Sequence, residues 1–136
     1  MSHVIDASSL LTLVKKEADK AFDALKKCIT VPLIYYEVGN ALRTSAVNLK
    51  HIEPEEAESA LENLHKALRL VKITPQDSVQ DCIQILQNSI NYNLSYYDSA
   101  YLTAAIKHKV ALVTEDKRLQ KAARSVKIQT GNVETL

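Results

Sequence analysis

The sequence predicts an α/β protein whose central sheet is mainly parallel, with about four to five short strands flanked by helices. The first observation is that short apolar runs alternate along the chain with longer segments whose apolar residues have helical spacing. Such alternation is typical of parallel sheets that are covered by helices on both faces. The second is the length of 136 residues, of which 46% are hydrophobic. This length is sufficient for one hydrophobic core and short for two, so we expect a single domain over residues 1–136.

The first half of the chain contains two predicted strand–helix pairs and a further helix. The predicted elements, in order, are a strand over 3–5, a helix over 8–25, a strand over 29–34, a helix over 35–49 and a helix over 54–70. Pro54 supports the start of the last helix, because proline is well tolerated in the first helical turn.

The second half continues the same alternation. The predicted elements are a strand over 71–73, a helix with its N-cap at Thr74–Pro75 and an apolar stripe that extends to Ile90, a helix that begins at Ser95, a strand over 110–114, a helix over 117–124 and a strand over 126–129. The run over 110–114 has the most strand-like sequence of these.

The composition excludes several kinds of site. Only two glycines are present, so neither the glycine-rich dinucleotide fingerprint nor a P-loop can be formed. Cys28 and Cys82 lie far apart, without histidines at zinc-finger spacing, which argues against a thiolate zinc site. The net charge is +1, so any contact with nucleic acid must depend on local charge.

The chain has neither a long apolar run nor a secretory signal at its start. A membrane-spanning helix needs about 20 consecutive apolar residues. The first residues, Met1-Ser2-His3, lead directly into an apolar strand without a charged leader region. We therefore expect a cytoplasmic protein without a membrane partner, in which free cysteines remain reduced.

Four acidic residues lie where predicted strands end or helices begin. They are Asp6, Glu37, Asp98 and Asp116. Taken singly, each has a simpler interpretation as a helix cap or as a partner of a helix dipole. In an open parallel sheet, however, such positions gather at the carboxyl edge of the strands, where ligands bind. The four can therefore converge, and their mutual repulsion is expected to raise some of their pKa values.

The segments around these acids resemble a known family. The segments are Ile5-Asp6-Ala7-Ser8, Tyr36-Glu37-Val38-Gly39-Asn40-Ala41-Leu42, Tyr97-Asp98-Ser99-Ala100-Tyr101-Leu102 and Leu112-Val113-Thr114-Glu115-Asp116. They resemble the successive motifs of the PIN-domain nucleases, and in particular the VapC-type toxins of VapBC toxin–antitoxin systems. The resemblance extends from residue 4 to about residue 119, in the family's order and at plausible spacing.

The resemblance implies a PIN-like fold and a metal-dependent endoribonuclease that a VapB-type antitoxin holds inactive; we also expect a homodimer. Asp6, Glu37, Asp98 and Asp116 match the family's acidic quartet. Ser8 and Thr114 match its accompanying hydroxyls, and Asn40 matches a polar position after the second acid. Asp116 is preferred to the adjacent Glu115 because the family pattern is Thr-x-Asp.

Carboxylates and hydroxyls are hard oxygen ligands that suit Mg²⁺ or Mn²⁺. Two such ions, about 3.5 to 4 Å apart, can activate a water and stabilise the leaving oxygen of a phosphodiester. Asp6 and Asp98 are the best candidates for direct ligands. Glu37 either binds metal or orients the water, and Asp116 acts with Ser8 and Thr114 directly or through water.

Several exposed residues have two interpretations. Arg43, Lys117, Arg118 and Lys121 can bind RNA phosphates, although solvated helix charges are the commoner explanation of such residues. Tyr97 and Tyr101 can stack on bases, although packing in the core or in a dimer is the favoured interpretation.

Two other functions stay open at the level of sequence. One is an α/β phosphatase or phosphoacceptor domain in which Asp6 is phosphorylated. The other is an inactive PIN-like binding module in which the helices 54–70 and 76–90 bury a protein partner.

Overall fold

The computed structural model describes residues 2–16 and 18–136, which fold around a five-stranded sheet. The strands are β1 (His3–Ile5), β2 (Cys28–Thr30), β3 (Lys72–Ile73), β4 (Ala111–Val113) and β5 (Thr130–Gly131). Their order is β3-β2-β1-β4-β5, and every neighbouring pair is parallel. The predicted α/β class is confirmed.

The described residues form seven α-helices, which flank this sheet. They are α1 (Ala7–Lys16), α2 (Ala18–Leu25), α3 (Ile34–Arg43), α4 (Pro54–Leu68), α5 (Val79–Tyr92), α6 (Tyr96–His108) and α7 (Lys117–Ser125). A π-helical turn, Thr44–Asn48, continues α3, and a 3₁₀ turn, Val133–Thr135, follows β5. Helix α6 is the central one, because every residue from Ser99 to Ala105 is buried.

Two predicted elements of the first half differ from the structure. Within the predicted helix over 8–25, the structure describes α1 and α2, and Glu17 between them lies outside the described residues. The predicted strand over 29–34 was too long, since β2 ends at Thr30. The backbone N–H of Ile34 already donates to Val31 O at 3.0 Å, so the chain has turned into α3 before the apolar run is complete.

Two predictions of the second half were also wrong. Thr74 is not a helix cap, because its N–H donates to Thr30 O at 2.8 Å beside β3, and α5 begins after Ser78, whose hydroxyl accepts from Asp81 N–H. The predicted strand over 126–129 is a turn in which Lys127 has a φ of 61°, and β5 follows it. The first error came from a cap-like Thr-Pro sequence, and the second from an apolar run.

The apolar stripe of α5 faces away from the core. Ile85 is buried, whereas the exposed fractions of Val79, Ile83, Leu86 and Ile90 are 71%, 41%, 49% and 69%. In the described parts of the chain, none of the helices is both long enough and apolar enough to cross a membrane.

The sheet has one topological switch point, which lies between β1 and β4. From β1 the chain proceeds to β2 and β3 on one side, whereas β4 and β5 lie on the other side. Ile5 pairs with Val113, so the residues that follow these strands, Asp6 and Thr114, come out side by side at the carboxyl edge. Ligands of open α/β sheets bind in the crevice at such a point.

Candidate active site

Asp6 is buried at the switch point, with 7% of its surface exposed. Its Oδ1 accepts the backbone N–H of Ser9 at 3.0 Å, which caps α1, and its Oδ2 accepts the hydroxyl of Thr114. Burial raises the pKa of the Asp6 carboxyl, these hydrogen bonds act in the opposite direction, and the charge of Asp116 raises the pKa further. The local hydrogen bonds therefore hold Asp6 in one orientation.

Thr114 links Asp6 to Asp116. Its hydroxyl donates to Asp6 and accepts the backbone N–H of Asp116 at 3.1 Å, and the side chain is fully buried. The carboxylate of Asp116 is exposed and caps α7 by accepting the N–H of Leu119 at 3.1 Å. A hydroxyl that both donates and accepts fixes the loop that carries the second acid.

Glu37 lies in the first turn of α3 and contacts α6. Its Oε1 accepts the hydroxyl of Tyr101 at 2.6 Å. Burial raises the pKa of Glu37, the bond from Tyr101 opposes this, and the charges of Asp98 and Asp6 raise the pKa further. Burial also raises the pKa of Tyr101, so the phenol keeps its proton and acts as the donor.

Asp98 lies in the first turn of α6, where its backbone N–H donates to the hydroxyl of Ser95 at 3.0 Å. The carboxylate is half-buried. Burial raises its pKa, the charge of Asp116 adds to the rise, and the charge of Arg118 opposes it. Burial is therefore the main reason why Asp98 holds its proton more tightly than an ordinary aspartate does.

The four predicted acids line one pocket of about 390 Å³. Its wall comprises Asp6, Ala7, Ser8, Leu11, Glu37, Asn40, Ala41, Asp98, Tyr101 and Asp116. Among the other predicted site residues, Ser8 and Asn40 reach this wall, whereas Thr114 lies behind it. Arg43 and Lys117 are exposed outside the wall, as is Arg118, whose charge nevertheless acts on Asp98.

Two of the acids are helix caps and also converge in the pocket, so both interpretations of their positions are correct. Asp6 and Asp116 cap α1 and α7 with one carboxylate oxygen each, and both also line the pocket. A cap accepts through one oxygen and leaves further lone pairs available. The helix caps therefore position these carboxylates and leave lone pairs available for a ligand.

Tyr101 is a site residue that the sequence interpretation did not assign. It is 1% exposed, as core packing predicts, yet its hydroxyl reaches the pocket and Glu37. The signal in the sequence is its spacing of three from Asp98, because residues at i and i+3 lie on one face of a helix.

Repulsion is not the main cause of the raised pKa values. For Asp6, Glu37 and Asp98, the largest cause is removal of the charged carboxylate from water, and the neighbouring acids add a smaller contribution. The pocket thus favours a cation for two reasons, since a cation compensates the lost hydration as well as the crowded charge.

The donor set fits a hard divalent ion that retains part of its water shell. In the described ranges, no three His, Cys, Asp or Glu side chains are arranged closely enough to hold one ion by themselves. Mg²⁺ is typically bound by one or two carboxylates, with waters and substrate phosphates completing its octahedral shell. The pocket therefore fits Mg²⁺ or Mn²⁺ in that mode and does not provide an all-protein cage.

Comparison with known proteins gives a consistent family assignment. The sequence matches the PIN domain over residues 3–125. It is similar to Exonuclease VapC9 of Pyrobaculum aerophilum, with 27% identity over 119 residues, which are 88% of this chain and 84% of the relative.

Solved structures show the same similarity. PAE2754 from Pyrobaculum aerophilum superposes with a TM-score of 0.82 at 27% identity, covering 99% of this chain and 85% of the other. FitAB bound to the IR36 DNA fragment has a TM-score of 0.69 at 14% identity, with 98% and 96% covered. FitAcB from Neisseria gonorrhoeae has a TM-score of 0.67 at 15% identity, with 98% and 99% covered, and these last two show likeness of fold alone.

Proposed function

This chain belongs to the PIN-domain family, and on that premise we propose that it is a divalent-metal-dependent endoribonuclease, the toxin of a type II toxin–antitoxin pair. The proposal treats residues 1–136 as one domain. The observation that carries it is the convergence of Asp6, Glu37, Asp98 and Asp116 at the sheet's switch point. Nuclease chemistry is also supported by the similarity to VapC9, whose name describes an exonuclease.

The residues of the pocket have distinct roles in this proposal. Asp6 and Asp98 would hold the ion, with Glu37 and Asp116 as further ligands or as groups that orient water. Bound there, the ion supplies Lewis-acid stabilisation of the phosphate and lowers the pKa of a water. Thr114 holds Asp6, and Tyr101 holds Glu37, so neither carboxylate has to reorganise when substrate arrives.

Ser8 and Asn40 supply neutral polar groups on the pocket wall. Both residues are exposed, so they are available to hydrogen-bond a phosphate or ribose without adding charge. Asp116 is exposed as well, and this side of the pocket is therefore accessible from solvent. An internal stretch of RNA can enter such a site without a free end, which favours endonucleolytic cleavage.

The geometry does not favour the phosphoacceptor alternative. Both carboxylate oxygens of Asp6 accept hydrogen bonds, and the side chain is almost completely buried. Hydrogen bonds to the charged form lower the nucleophilicity of a carboxylate. The binding-module alternative explains the surface of α5, but it gives no reason for four carboxylates in one pocket.

A circular single-stranded RNA tests the proposal. With Mn²⁺ the wild type should linearise the circle, and EDTA or Asp98→Asn should prevent this. Asp23→Asn is a matched control, because Asp23 is an exposed acid on α2 outside the pocket. Digestion of linear RNA but not of circles would overturn endonucleolytic cleavage, equal cleavage of circular DNA would overturn the RNA preference, and inertness towards all of them would overturn the nuclease.

An antitoxin of the VapB type is part of the same proposal. Four carboxylates are costly to leave unpaired, and a guanidinium offers a planar fork that can bridge two of them. We infer that the inhibitory segment inserts an arginine into the pocket in place of the metal. A cognate antitoxin peptide should then lose affinity as Mn²⁺ is added, and metal-independent affinity would place the inhibitor elsewhere.

The predicted homodimer has a candidate surface on α5. Val79, Ile83, Leu86 and Ile90 are exposed along one stripe, and Tyr96 and Tyr97 in the first turn of α6 are exposed as well. The exposed fractions of these six residues lie between 40% and 71%, so they present apolar surface of the kind that the core of an interface buries.

A second copy of this chain is the occupant that we propose for this surface. The sequence from 82 to 97 contains no charged residue, although 24% of the chain is charged. Near the axis of a two-fold interface each residue meets its own copy, so a charge there would face a like charge. An uncharged apolar stripe avoids that repulsion, and we propose that the dimer acts in the cytoplasm, where its RNA substrate is found.

A further inference from the structure

Helix α7 carries the strongest local concentration of positive charge. Lys117, Arg118, Lys121 and Arg124 lie within nine residues that include no acid. Within the described part of the chain, none of these four cations forms an ion pair. The whole chain has a net charge of only +1, so the excess of positive charge on α7 is local and does not reflect the overall composition.

Two of these cations line a second pocket, of about 410 Å³. Arg118, Lys121 and Ser125 contribute to it from α7, and Asn91, Tyr92 and Asn93 from the end of α5. Among the residues that the structure describes, no acid lines this pocket, which we call the cationic pocket. Its volume lies within the range of about 300 to 1,000 Å³ that is usual for ligand sites.

The cationic pocket adjoins the acidic one. Arg118 belongs to its wall and lies only two residues after Asp116, which lines the acidic pocket. The chain segment between the two pockets is short, since Asn93 in the cationic pocket and Asp98 in the acidic pocket are five residues apart. An RNA strand that leaves one pocket therefore has a short path to the other.

We propose that the cationic pocket binds the nucleotide next to the cleaved phosphodiester, which rests on the proposed ribonuclease function. Arg118 and Lys121 bind its phosphate, as guanidinium and ammonium groups commonly do. The amides of Asn91 and Asn93 can hydrogen-bond base edges, and the ring of Tyr92 offers an apolar face for a base. The acidic pocket repels RNA when it lacks metal, so a neighbouring cationic subsite supplies the attraction that the first pocket does not.

The residues that line the cationic pocket fit single-stranded RNA better than they fit an acidic peptide. An acidic peptide needs cations alone, whereas a nucleotide needs a cation for its phosphate beside polar and aromatic groups for its base. The cationic pocket combines all three within one wall.

The test is a titration of a fluorescein-labelled 12-nucleotide single-stranded RNA, followed by anisotropy in EDTA so that no cleavage occurs. Arg118→Ala and Lys121→Ala should each weaken binding roughly tenfold, as expected for loss of a charge-assisted hydrogen bond. Each should also reduce the slope of log affinity against log salt by about 0.7, the value for one phosphate contact on a single strand.

Lys117→Ala and Arg124→Ala are matched controls, because these cations lie on the same helix but outside the pocket wall. All four side chains are exposed, so the variants should fold, and circular dichroism checks this. Equal weakening by all four substitutions would overturn the subsite in favour of diffuse attraction. Binding of polyglutamate but not RNA, with the same dependence on Arg118 and Lys121, would assign the pocket to an acidic protein instead.

This titration separates the two proposals. If the wild type cuts no RNA with Mn²⁺, yet its affinity in EDTA depends on Arg118 and Lys121, the nuclease fails and the RNA subsite stands. If it cuts RNA, but neither substitution changes affinity, the subsite fails and the nuclease stands.

Discussion

The hydroxyl of Tyr101 on α6 donates a 2.6 Å hydrogen bond to Glu37 on α3, and the two residues lie 64 positions apart in the chain. The contact places a buried neutral donor against a carboxylate whose pKa burial has raised. It therefore orients Glu37 and also favours its ionised form.

Tyr101→Phe should keep the packing of α6 and remove this donor. Without the hydrogen bond, the pKa of Glu37 should rise further, because the bond favours the charged form. The acid limb of the pH–rate profile with Mn²⁺ should move to higher pH, with the largest loss of activity below neutrality. Tyr35→Phe is the control, since Tyr35 lies on α3 outside the acidic pocket. An unchanged profile for Tyr101→Phe would show that Glu37 does not depend on the phenol.

Thr114→Val should destabilise the metal-free protein. Valine has a similar shape but cannot donate to Asp6 or accept from Asp116, so a buried carboxylate loses a partner. The expected loss is about 1 to 3 kcal/mol of unfolding free energy, measured by urea titration in EDTA. Thr114→Ser keeps the hydroxyl and should retain most of the stability. Equal losses in the two variants would indicate that packing of the methyl group, and not the hydrogen bond, is responsible.

The raised pKa values also predict how stability depends on pH. At a pH between its unfolded and folded pKa values, a carboxyl whose pKa is raised by folding keeps its proton in the folded state and loses it in the unfolded chain. The folded state then binds more protons. The stability contributed by Asp6, Glu37 and Asp98 is thus fully present below the ordinary carboxyl pKa of about 4, and is lost as pH rises through the higher folded values. Above those folded pKa values, a bound divalent ion should restore the lost stability.

Asp98→Asn isolates one of these contributions. The substitution removes a half-buried like charge, so the variant should gain stability relative to wild type as pH rises from about 4 to 7 in EDTA. Its nuclease activity should fall by at least about 100-fold, as for loss of a group that acts directly in the chemistry. Thermal unfolding at several pH values measures the first effect. A stability difference that does not change with pH would contradict the raised pKa of Asp98.

The α5 surface predicts a change of oligomeric state. Leu86→Glu places two like charges in the proposed two-fold interface and should convert a dimer into a monomer, measured by light scattering after size-exclusion chromatography. Val47→Glu is the matched control, because Val47 is 55% exposed on the π-helical turn, away from α5. A wild type that is already monomeric, or a Leu86→Glu variant that stays dimeric, would show that this surface is not a dimer interface.

The sequence predicts that Asp6 and Asp116 lie close together because parallel topology brings the ends of strands to one edge of the sheet. Once Asp6 and Asp116 follow strands of one parallel sheet, their proximity follows from the fold alone. The role of Tyr101 does not follow in this way, because its partner Glu37 belongs to a distant segment and the contact depends on how α3 and α6 pack. Its burial was predictable, and its hydrogen bond to Glu37 was not.

Element boundaries were less predictable for a local reason. The apolar run 126–129 has a strand-like sequence, but Lys127 adopts a left-handed conformation and Ile128 N–H bonds back to Ala123 O at 2.8 Å. Backbone hydrogen bonding, which apolar patterning does not report, ends the helix there. The stripe of α5 illustrates a similar point, since periodicity identifies an apolar face without indicating whether the core or a partner covers it.

The proposed nuclease function depends most directly on whether the acidic pocket binds a divalent ion. Free Mn²⁺ gives an electron paramagnetic resonance signal that diminishes on binding, so a titration at pH 7 measures the number of bound ions and their affinity. We expect one or two ions per chain, with binding that weakens as pH falls because the carboxyls must lose their protons. Asp6→Asn and Asp98→Asn should abolish the strongest binding, whereas Asp23→Asn should leave it unchanged. No binding by the wild type, or binding that is unaffected by Asp6→Asn and Asp98→Asn, would contradict the account.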